Sequence, residues 1–542
     1  MRRAAALLLS GVLAAGLMTG CGNSTGTGGE AKTEPAAKTE AAGEKTEPAT
    51  EASNLNLEGF PIVNEQITMT VYGCKDQNHA PWKDVLVLNK YEELTNIHMD
   101  YQEAPADGFE ENKQLLFASN ELPDVFLKCD IRTDQIATYG VGSGQLMILD
   151  DLIEQYAPNL SRIYEEYPHI KQAVTASDGH MYTIPAIDLS ATGSMGFKQW
   201  INKAWLDKLG KEIPTNLEEF KDVLIAFRDG DPNGNGIADE IPLGIREPDS
   251  VYSLGGSFGL QFQMKDTYNI DENGTVHNWL CDDAFKEYLM YLNDLYQEGL
   301  LWQDYYKNDR AAWRSNLAGE LFGAMYMPYS DVFLNCEEDY VGYEPLIGPT
   351  GEKLWTDASG SISMLGSFAL SNTCSNPEAA IRWVDYFYGD EGEMFFRYGV
   401  EGETFDYDDS HVPQFKDEII NSPDGFMTAL GKVNLVPGGG FPCRISDMTD
   451  NVVASQRTKE AAAILIDYMP KKVYVKPSVS MEDMDRLNAI EQDVINYRKE
   501  AVAKFIIGEW GFDKWEEYCA TLEQIGIREL EEIYQRAIDA AK

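Results

Sequence analysis

The chain reads as an α/β protein, and three observations predict it. Short β-branched runs alternate with helical stretches from Ile67 to Phe126. Apolar residues recur at helical spacing in several longer segments of the middle. The stretch Met484–Ala541 is almost continuously helical in pattern. Strands that alternate with helices imply a sheet with helical crossovers.

Ile67–Tyr72 (ITMTVY) is the first predicted strand. Trp82–Thr95 follows as a helix, Ile97–Tyr101 as a strand and Phe109–Ser119 as a helix. Asn120–Phe126 leads into a third strand. Leu206–Leu209 and Pro214–Arg228 are predicted helices, with Thr215 or Asn216 as a cap before the apolar pattern Leu217–Phe227. Asp282–Glu298 and Asn376–Tyr388 are further amphipathic helices. In the C-terminal stretch Trp515, Tyr518, Leu522 and Ile525, then Leu530, Ile533, Tyr534 and Ile538, share helical faces and are expected in the core.

The start of the chain has a different character. Arg2 and Arg3 precede an apolar run, Ala4–Leu17, too short for the roughly 18 residues a membrane-spanning helix needs. Met18-Thr19-Gly20-Cys21 then reads as a lipobox, with Met where Leu is usual. Residues 1–20 are therefore expected to be a signal peptide, and Cys21 the lipidated first residue of the mature protein. Gly22–Ser53 holds only small and polar residues and cannot bury enough apolar surface to offset chain entropy. Residues 21–57 are expected to be a disordered tether, spanning roughly 30–35 Å.

The remaining chain is long enough for two or three domains. Forty-four Lys and Arg stand against 89 Asp and Glu, a net charge of -45. Such a surface repels phosphate backbones, so no nucleic-acid partner is expected. Beyond Cys21 the cysteines are Cys74, Cys129, Cys281, Cys336, Cys374, Cys443 and Cys519, an odd set with no CxxC pair. No disulfide framework is expected, and most are read as small buried hydrophobes.

Asp229–Glu240 (DGDPNGNGIADE) is the sharpest internal motif. Calcium takes six to eight oxygens from a tightly curled loop; alternating Asp and Asn supply them and glycines permit the curl. From Asp229 the segment matches the EF-hand pattern through to Glu240. From Asp231 the ligands are Asp231, Asn233, Asn235, the Ile237 carbonyl, Asp239 and Glu240. The second register is preferred, since it ends on two adjacent carboxylates. A single loop without a paired partner points to a structural Ca2+ rather than a sensor.

Several segments together resemble the family 1 solute-binding lipoproteins of carbohydrate ABC transporters. They include Glu121–Phe126, Asp178–Pro185 and Asn202–Thr215 (NKAWLDKLGKEIPT), with Glu218–Phe220 beyond. Asn376–Ala380, Tyr398–Gly402 and Phe505–Gly508 continue the likeness, which runs from about Ile67 to the C-terminus. The acidic loop falls where longer, oligosaccharide-binding members of that family, alginate-binding proteins among them, carry theirs. The resemblance implies a two-lobe, periplasmic-binding-protein-like fold of type II, with a hinge and an interlobe ligand cleft. Lobe 1 is expected from 58–195 and 360–440, and lobe 2 from 196–359 and 441–542. The chain should cross near Gly196–Asn202, Gly360–Leu370 and Gly438–Arg444, the last beside Pro437–Pro442 (PGGGFP). The implied partners are an oligosaccharide and ABC permease subunits. The protein is then a monomer, lipid-anchored on the extracellular face of the cell membrane.

Sugars need flat aromatics for stacking and polar side chains for their hydroxyl rims. The expected ligand contacts are Asp130, Trp200, Tyr326, Tyr329, Trp355 and Glu401, read from loops and strand ends. A binding protein for another solute, such as a peptide, and a surface glycosidase or lyase stay open as alternatives. A glycosidase needs two carboxylates roughly 5–10 Å apart, and no local motif singles out such a pair. Gly255–Gly259 matches G-x-S-x-G, but without the apolar strand and helix that a nucleophile elbow needs. The six histidines show no metal-ligand spacing, so no catalytic residue is assigned.

Overall fold

The computed structural model describes residues 53–540, apart from 246–247, 263–265, 272, 308, 329–335, 453, 471–473 and 475. The signal segment, Cys21, the chain to residue 52 and Tyr329 lie outside the described residues. Residues 53–57, grouped above with the tether, lie against the body. Leu55 bridges Val63, and Asn54 Oδ1 accepts from Glu65 N at 2.6 Å.

Fourteen strands occur among the described residues. They are β1 (Ile67–Lys75), β2 (Ile97–Pro105), β3 (Val125–Leu127), β4 (Ile184–Asp188), β5 (Lys198–Asn202), β6 (Ile241–Gly244) and β7 (Tyr268–Ile270). Then come β8 (Val276–Asn278), β9 (Phe322–Met327), β10 (Tyr340–Gly342), β11 (Ile362–Leu370), β12 (Phe405–Tyr407), β13 (Pro413–Phe415) and β14 (Arg444–Ile445).

The predicted strand–helix alternation builds the first sheet. After β1 a short 3₁₀ turn, Trp82–Asp84, precedes helix Leu86–Thr95, which buries Val87, Leu88 and Tyr91. That helix stops at Asn96 with φ 60°, a left-handed residue Asn tolerates; Asn120, φ 57°, ends helix Phe109–Ser119 in the same way. Each helix returns the chain to a parallel strand, with Ile67 opposite Ile97 and Val71 opposite Val125. β2 runs on to Pro105, past the predicted end at Tyr101, because Ala104 still packs inward.

The first sheet has six strands in the order β14-β4-β11-β3-β1-β2, and the second has four in the order β10-β5-β9-β6. Within the first, β11 runs antiparallel to β3 and β4. Within the second, β5 runs antiparallel to β9 and β10. The first sheet is covered on one side by Trp82, Tyr91, Trp383 and Phe441, and on the other by Tyr72, Phe126 and Tyr182. The second core gathers Trp200, Phe227, Trp279 and Phe505 with the C-terminal helices Met481–Ile507, Trp515–Ile525 and Ile527–Ala540.

Core membership changes between Ile187 and Met195, between Trp355 and Phe368, and between Val452 and Ala461. The third passage lies beyond Gly438–Arg444, where the sequence placed it, because Arg444 and Ile445 pair with Ile187 and Asp188 in the first sheet. Buried polar groups tie these passages together. Lys198 Nζ donates to the carbonyls of Thr192 (2.7 Å) and Met195 (3.1 Å), and Phe197 N donates to Asp357 Oδ2 at 2.8 Å. The Thr192 hydroxyl donates to the Asp450 carboxylate. Burial pulls Lys198 down to about 8 and pushes Asp357 up to about 7.

The amphipathic helices form at Leu217–Asp229, Asp283–Gln297 and Pro377–Asp385. Asn216 is the cap of the first, accepting from Glu219 N at 2.9 Å. Thr215 instead gives its N–H and hydroxyl to the Glu219 carboxylate, each at 2.8 Å.

Candidate functional site

β1 has a parallel neighbour on each side, β2 and β3. The chain leaves β1 for β2, then returns past it to β3, so the strand order reverses there. In open α/β sheets such a reversal opens a crevice beyond the carboxyl ends of the strands. A cavity of about 550 Å³ lies over the ends of β1 and β2, lined chiefly by Lys75, Asp76, Gln77, His79, Glu103 and Asp107.

The floor beside this cavity is built from distant segments. Lys128 and Asp130, just past β3, have φ of 56° and 45°, values L-residues rarely adopt. The buried Lys128 ammonium donates to the carbonyls of Leu435 (2.9 Å) and Pro437 (3.2 Å). His79 Nε2 also meets Pro437 O at 2.8 Å. Burial lowers His79 to about 4, so its ring is neutral and Nε2–H is the donor. Burial likewise lowers Lys128 to about 8. Lys113 donates to the carbonyls of Cys129 (2.7 Å) and Asp130 (3.1 Å), holding the β3 exit turn. Gly438 closes the floor at φ 74°, where a Cβ would come within 2.8 Å of the Asp76 Cβ. On the rim, Lys75 Nζ pairs with Glu103 Oε2 at 3.1 Å, and Asp76 Oδ1 accepts from Asn78 N at 2.8 Å. The result is a polar rim in which Lys75 offsets Glu103 while the Asp76 and Asp107 carboxylates leave it acidic.

A second cavity of about 360 Å³ lies where elements of both cores meet. Arg132, Thr133, Asp134 and Leu365 face Lys476, Val479, Met484, Leu487 and Glu491 across it. Arg132 is held by Glu110, Nη1 to Oε2, at 2.9 Å.

The residues singled out in the sequence fall in several places. Asp130 stands at the strand-end face. Trp200, Tyr326 and Trp355 are core side chains, 0 %, 2 % and 1 % exposed, rather than presented to a cleft. The indoles of Trp200 and Trp355 donate to the carbonyls of Met327 (3.0 Å) and Phe197 (3.1 Å). Both indoles belong to the large aromatic second core, Trp200 from the middle of β5 and Trp355 from a loop. Glu401 lines a separate cavity of about 640 Å³ with Lys90, Met394, Phe395, Phe405 and Tyr407. Sequence reasoning missed Lys75, Asp76, His79, Glu103 and Lys128. Its one usable signal was a Lys directly ending the apolar strand Val125–Leu127.

The acidic loop joins helix Leu217–Asp229 to β6. Asp231, Gly234 and Gly236 take positive φ and curl it inward. Asn235 N donates to Asn233 Oδ1 (3.0 Å), Ile237 N to Asn235 Oδ1 (2.6 Å) and Gly236 N to Asp231 Oδ1 (3.3 Å). The Ile237 side chain points out, 60 % exposed. Asp229 turns away to Arg228, at 2.7 and 3.0 Å, which holds its carboxyl low. Glu240 Oε1 is buried without a hydrogen-bond partner, and burial plus the Asp231 and Asp239 carboxylates raises its pKa. Among the described residues no three His, Cys, Asp or Glu side chains converge as a ready metal cluster. The donor set of this loop rests instead on mixed carboxylate, amide and carbonyl oxygens, which suits a hard cation.

Ser257 of the G-x-S-x-G match is buried and donates to Leu346 O at 2.8 Å, in a 3₁₀ segment. His277 is held by Asp282 (2.8 Å) and Glu531 (3.2 Å), and His411 stacks on Tyr407, so neither addresses that serine. No helix among the described residues is long and apolar enough to cross a membrane.

Comparison with known proteins then places the chain. The family described as bacterial extracellular solute-binding protein matches residues 77–394. The fructooligosaccharide ABC transporter substrate-binding protein FusA of Streptococcus pneumoniae is 26 % identical over 518 residues, 92 % of this chain and 95 % of that protein. A solved HMO-binding, ABC-transporter-associated solute-binding protein of Bifidobacterium longum infantis superposes with a TM-score of 0.75 at 22 % identity. That match covers 88 % of this chain and 99 % of the other. A solved EF-hand mutant of the S. pneumoniae FusA, in complex with fructo-nystose, gives a TM-score of 0.68 at 25 % identity. It covers 87 % and 99 % of the two chains. The chain belongs to the bacterial extracellular solute-binding protein family and has its two-lobed α/β fold. Its family is one of transporter binding proteins, not enzymes.

Proposed function

We propose that this solute-binding protein captures an oligosaccharide over the strand ends of the six-stranded sheet and delivers it to an ABC permease. The polar cavity beside the β1–β3 reversal carries the reading. Its rim offers Lys75, Asp76, Gln77, Glu103 and Asp107, a mixture of donors and acceptors suited to hydroxyls. The family, and the name of the pneumococcal relative, support the substrate class. The two lobes, 58–195 with 360–452 and 196–359 with the chain beyond, close on the ligand about the three passages. On the strand pairing, Arg444 to Val452 move with the first lobe. The second cavity, between Arg132 and Glu491, belongs to the same cleft.

In this reading a calcium ion sits in the loop, held by Asp231, Asn233, Asn235, the Ile237 carbonyl, Asp239 and Glu240. The orphaned, buried Glu240 oxygen supports the fit, since a cation supplies the charge it lacks. The diversion of Asp229 to Arg228 favours the register that begins at Asp231. Bound there, the ion would offset two of the three carboxylate charges and staple the loop, away from the ligand cleft. Lipid on Cys21 anchors the tether outside the cell, which raises the effective concentration at the permease. Cys21→Ser is expected to lower uptake and leave ligand affinity intact.

Calorimetric titration of the mature chain tests the proposal. The panel is fructo-oligosaccharides, milk oligosaccharides, galacturonan fragments and a peptide mixture. One glycan class is expected to bind, and Asp76→Ala to weaken it about tenfold or more. Binding of peptides alone, or of nothing, overturns it.

A further inference from the structure

Oligosaccharides divide by charge. Neutral ones present hydroxyls, which donate and accept; uronates and sialates add carboxylates, which at neutral pH only accept. A site for the second kind needs a cation whose N–H groups are free to reach the ligand, as a guanidinium does in a bidentate pair.

The cations around the two cavities are already engaged. Lys75 Nζ lies 3.1 Å from Glu103 Oε2. Glu110 holds two cations at once, Oε1 to Lys113 Nζ at 2.7 Å and Oε2 to Arg132 Nη1 at 2.9 Å. The Arg132 Nε faces Asp134 Oδ1 at 3.5 Å. Across the second cavity Lys476 pairs with Glu491 and sits 5.7 Å from the Tyr534 ring centre. Lys128 lies under the floor, 4 % exposed, and gives its N–H groups to the Leu435 and Pro437 carbonyls. An incoming carboxylate could reach Arg132 or Lys476 only by displacing Glu110 or Glu491, which would then stand unpaired beside it.

The carboxylates are not matched in return. Asp76 and Asp107 line the strand-end cavity, and Asp130 stands at the same strand-end face. Among the described residues no Lys or Arg nitrogen lies within ion-pair distance of these three. Asp76 Oδ1 accepts instead from the Asn78 backbone and amide nitrogens, at 2.8 and 2.9 Å. Such carboxylates accept readily from sugar hydroxyls and repel a second anion.

We propose, on the reading that an oligosaccharide occupies this cleft, that the site selects neutral glycans, with Asp76 and Asp107 as specificity-determining residues that accept from hydroxyls and exclude uronate and sialate carboxylates. Discrimination here comes from an unfavourable charge built against the wrong ligand as well as from contacts to the right one.

The test is calorimetric titration of the mature chain with matched pairs differing only in charge. They are neutral milk oligosaccharides and their sialylated forms, methyl-esterified trigalacturonate and trigalacturonate, and a fructo-oligosaccharide with and without its primary hydroxyls oxidised to carboxylates. In the pair that binds, the acidic member is expected to be weaker by about tenfold or more. Raising salt from about 0.02 M to about 0.5 M is expected to narrow that gap, since the repulsion is screened. The double variant Asp76→Asn, Asp107→Asn should narrow it too, whatever happens to the affinity for the neutral member. An acidic member that binds as tightly as its neutral partner, or a gap that salt leaves unchanged, overturns the selection while leaving the oligosaccharide reading intact. Binding of no member of any pair overturns that reading, and the selection with it. The salt comparison uses the unaltered chain, so it decides even if the variant fails to fold.

Discussion

The acidic loop and the strand-end cavity are assembled in opposite ways. Every proposed cation ligand lies within ten residues, Asp231 to Glu240, and the curl comes from Asp231, Gly234 and Gly236. The cavity and its floor draw instead on Lys75–His79, Glu103–Asp107, Lys128–Asp130 and Leu435–Gly438. Their electrostatics differ as well. The loop gathers carboxylates around a buried oxygen with no partner. The cavity pairs Lys75 with Glu103 and surrounds Lys128 with carbonyls. A local segment can thus be left wanting a cation, whereas a floor built from distant segments must satisfy its own charges to hold together.

The largest effect expected from breaking this contrast is at the loop. At calcium a hundredfold above its dissociation constant, binding adds about 2.7 kcal/mol to stability. Asp231→Ala is expected to remove that gain in calcium-dependent thermal unfolding, whereas Asp229→Ala keeps it. If Asp229→Ala loses it instead, the register is the earlier one. Next comes the floor. Lys128→Met takes the ammonium from the Leu435 carbonyl and leaves Pro437 O with His79 alone, at a cost of about 1–3 kcal/mol in denaturant unfolding. A neutral result would mean that water replaces the ammonium without loss.

A pH-dependent effect concerns the passages between the cores. Asp357 is raised to about 7 by burial, against an unfolded value near 4 (order of magnitude). Between those values the folded chain holds a proton the unfolded chain has lost. Its contribution is therefore full at low pH and fades as pH rises through 7. The slope is at most about 1.4 kcal/mol per pH unit. Asp357→Asn is expected to flatten that part of the pH–stability curve, and a parallel curve would contradict it. The smallest effect is at the rim. Lys75→Ala breaks a partly exposed ion pair and should change stability by less than about 1 kcal/mol, while weakening ligand binding in calorimetry.

Legibility in the sequence followed the same division. Periodicity located β1, β2 and the helices around them, because each carries its own apolar face. The C-terminal stripe from Trp515 to Ile538 was readable as core for the same reason. The loop was legible because its chemistry is contiguous. Trp200 and Trp355, read from the sequence as ligand contacts, lie packed in the second core, since nothing local tells a packed indole from a presented one. Lys128 and His79 stayed invisible because their roles depend on Leu435 and Pro437, more than 300 residues away. The third passage was misplaced because β14, two residues long, pairs with β4 only through tertiary structure.

Hydrogen exchange with and without the glycan selected by the titration panel tests the central claim most directly. Added protection is predicted at residues 75–79, 103–107 and 128–132, with the calcium-loaded loop 231–240 unchanged. Protection confined to the cavity around Glu401, or none at the strand ends, would contradict the assignment of the binding face.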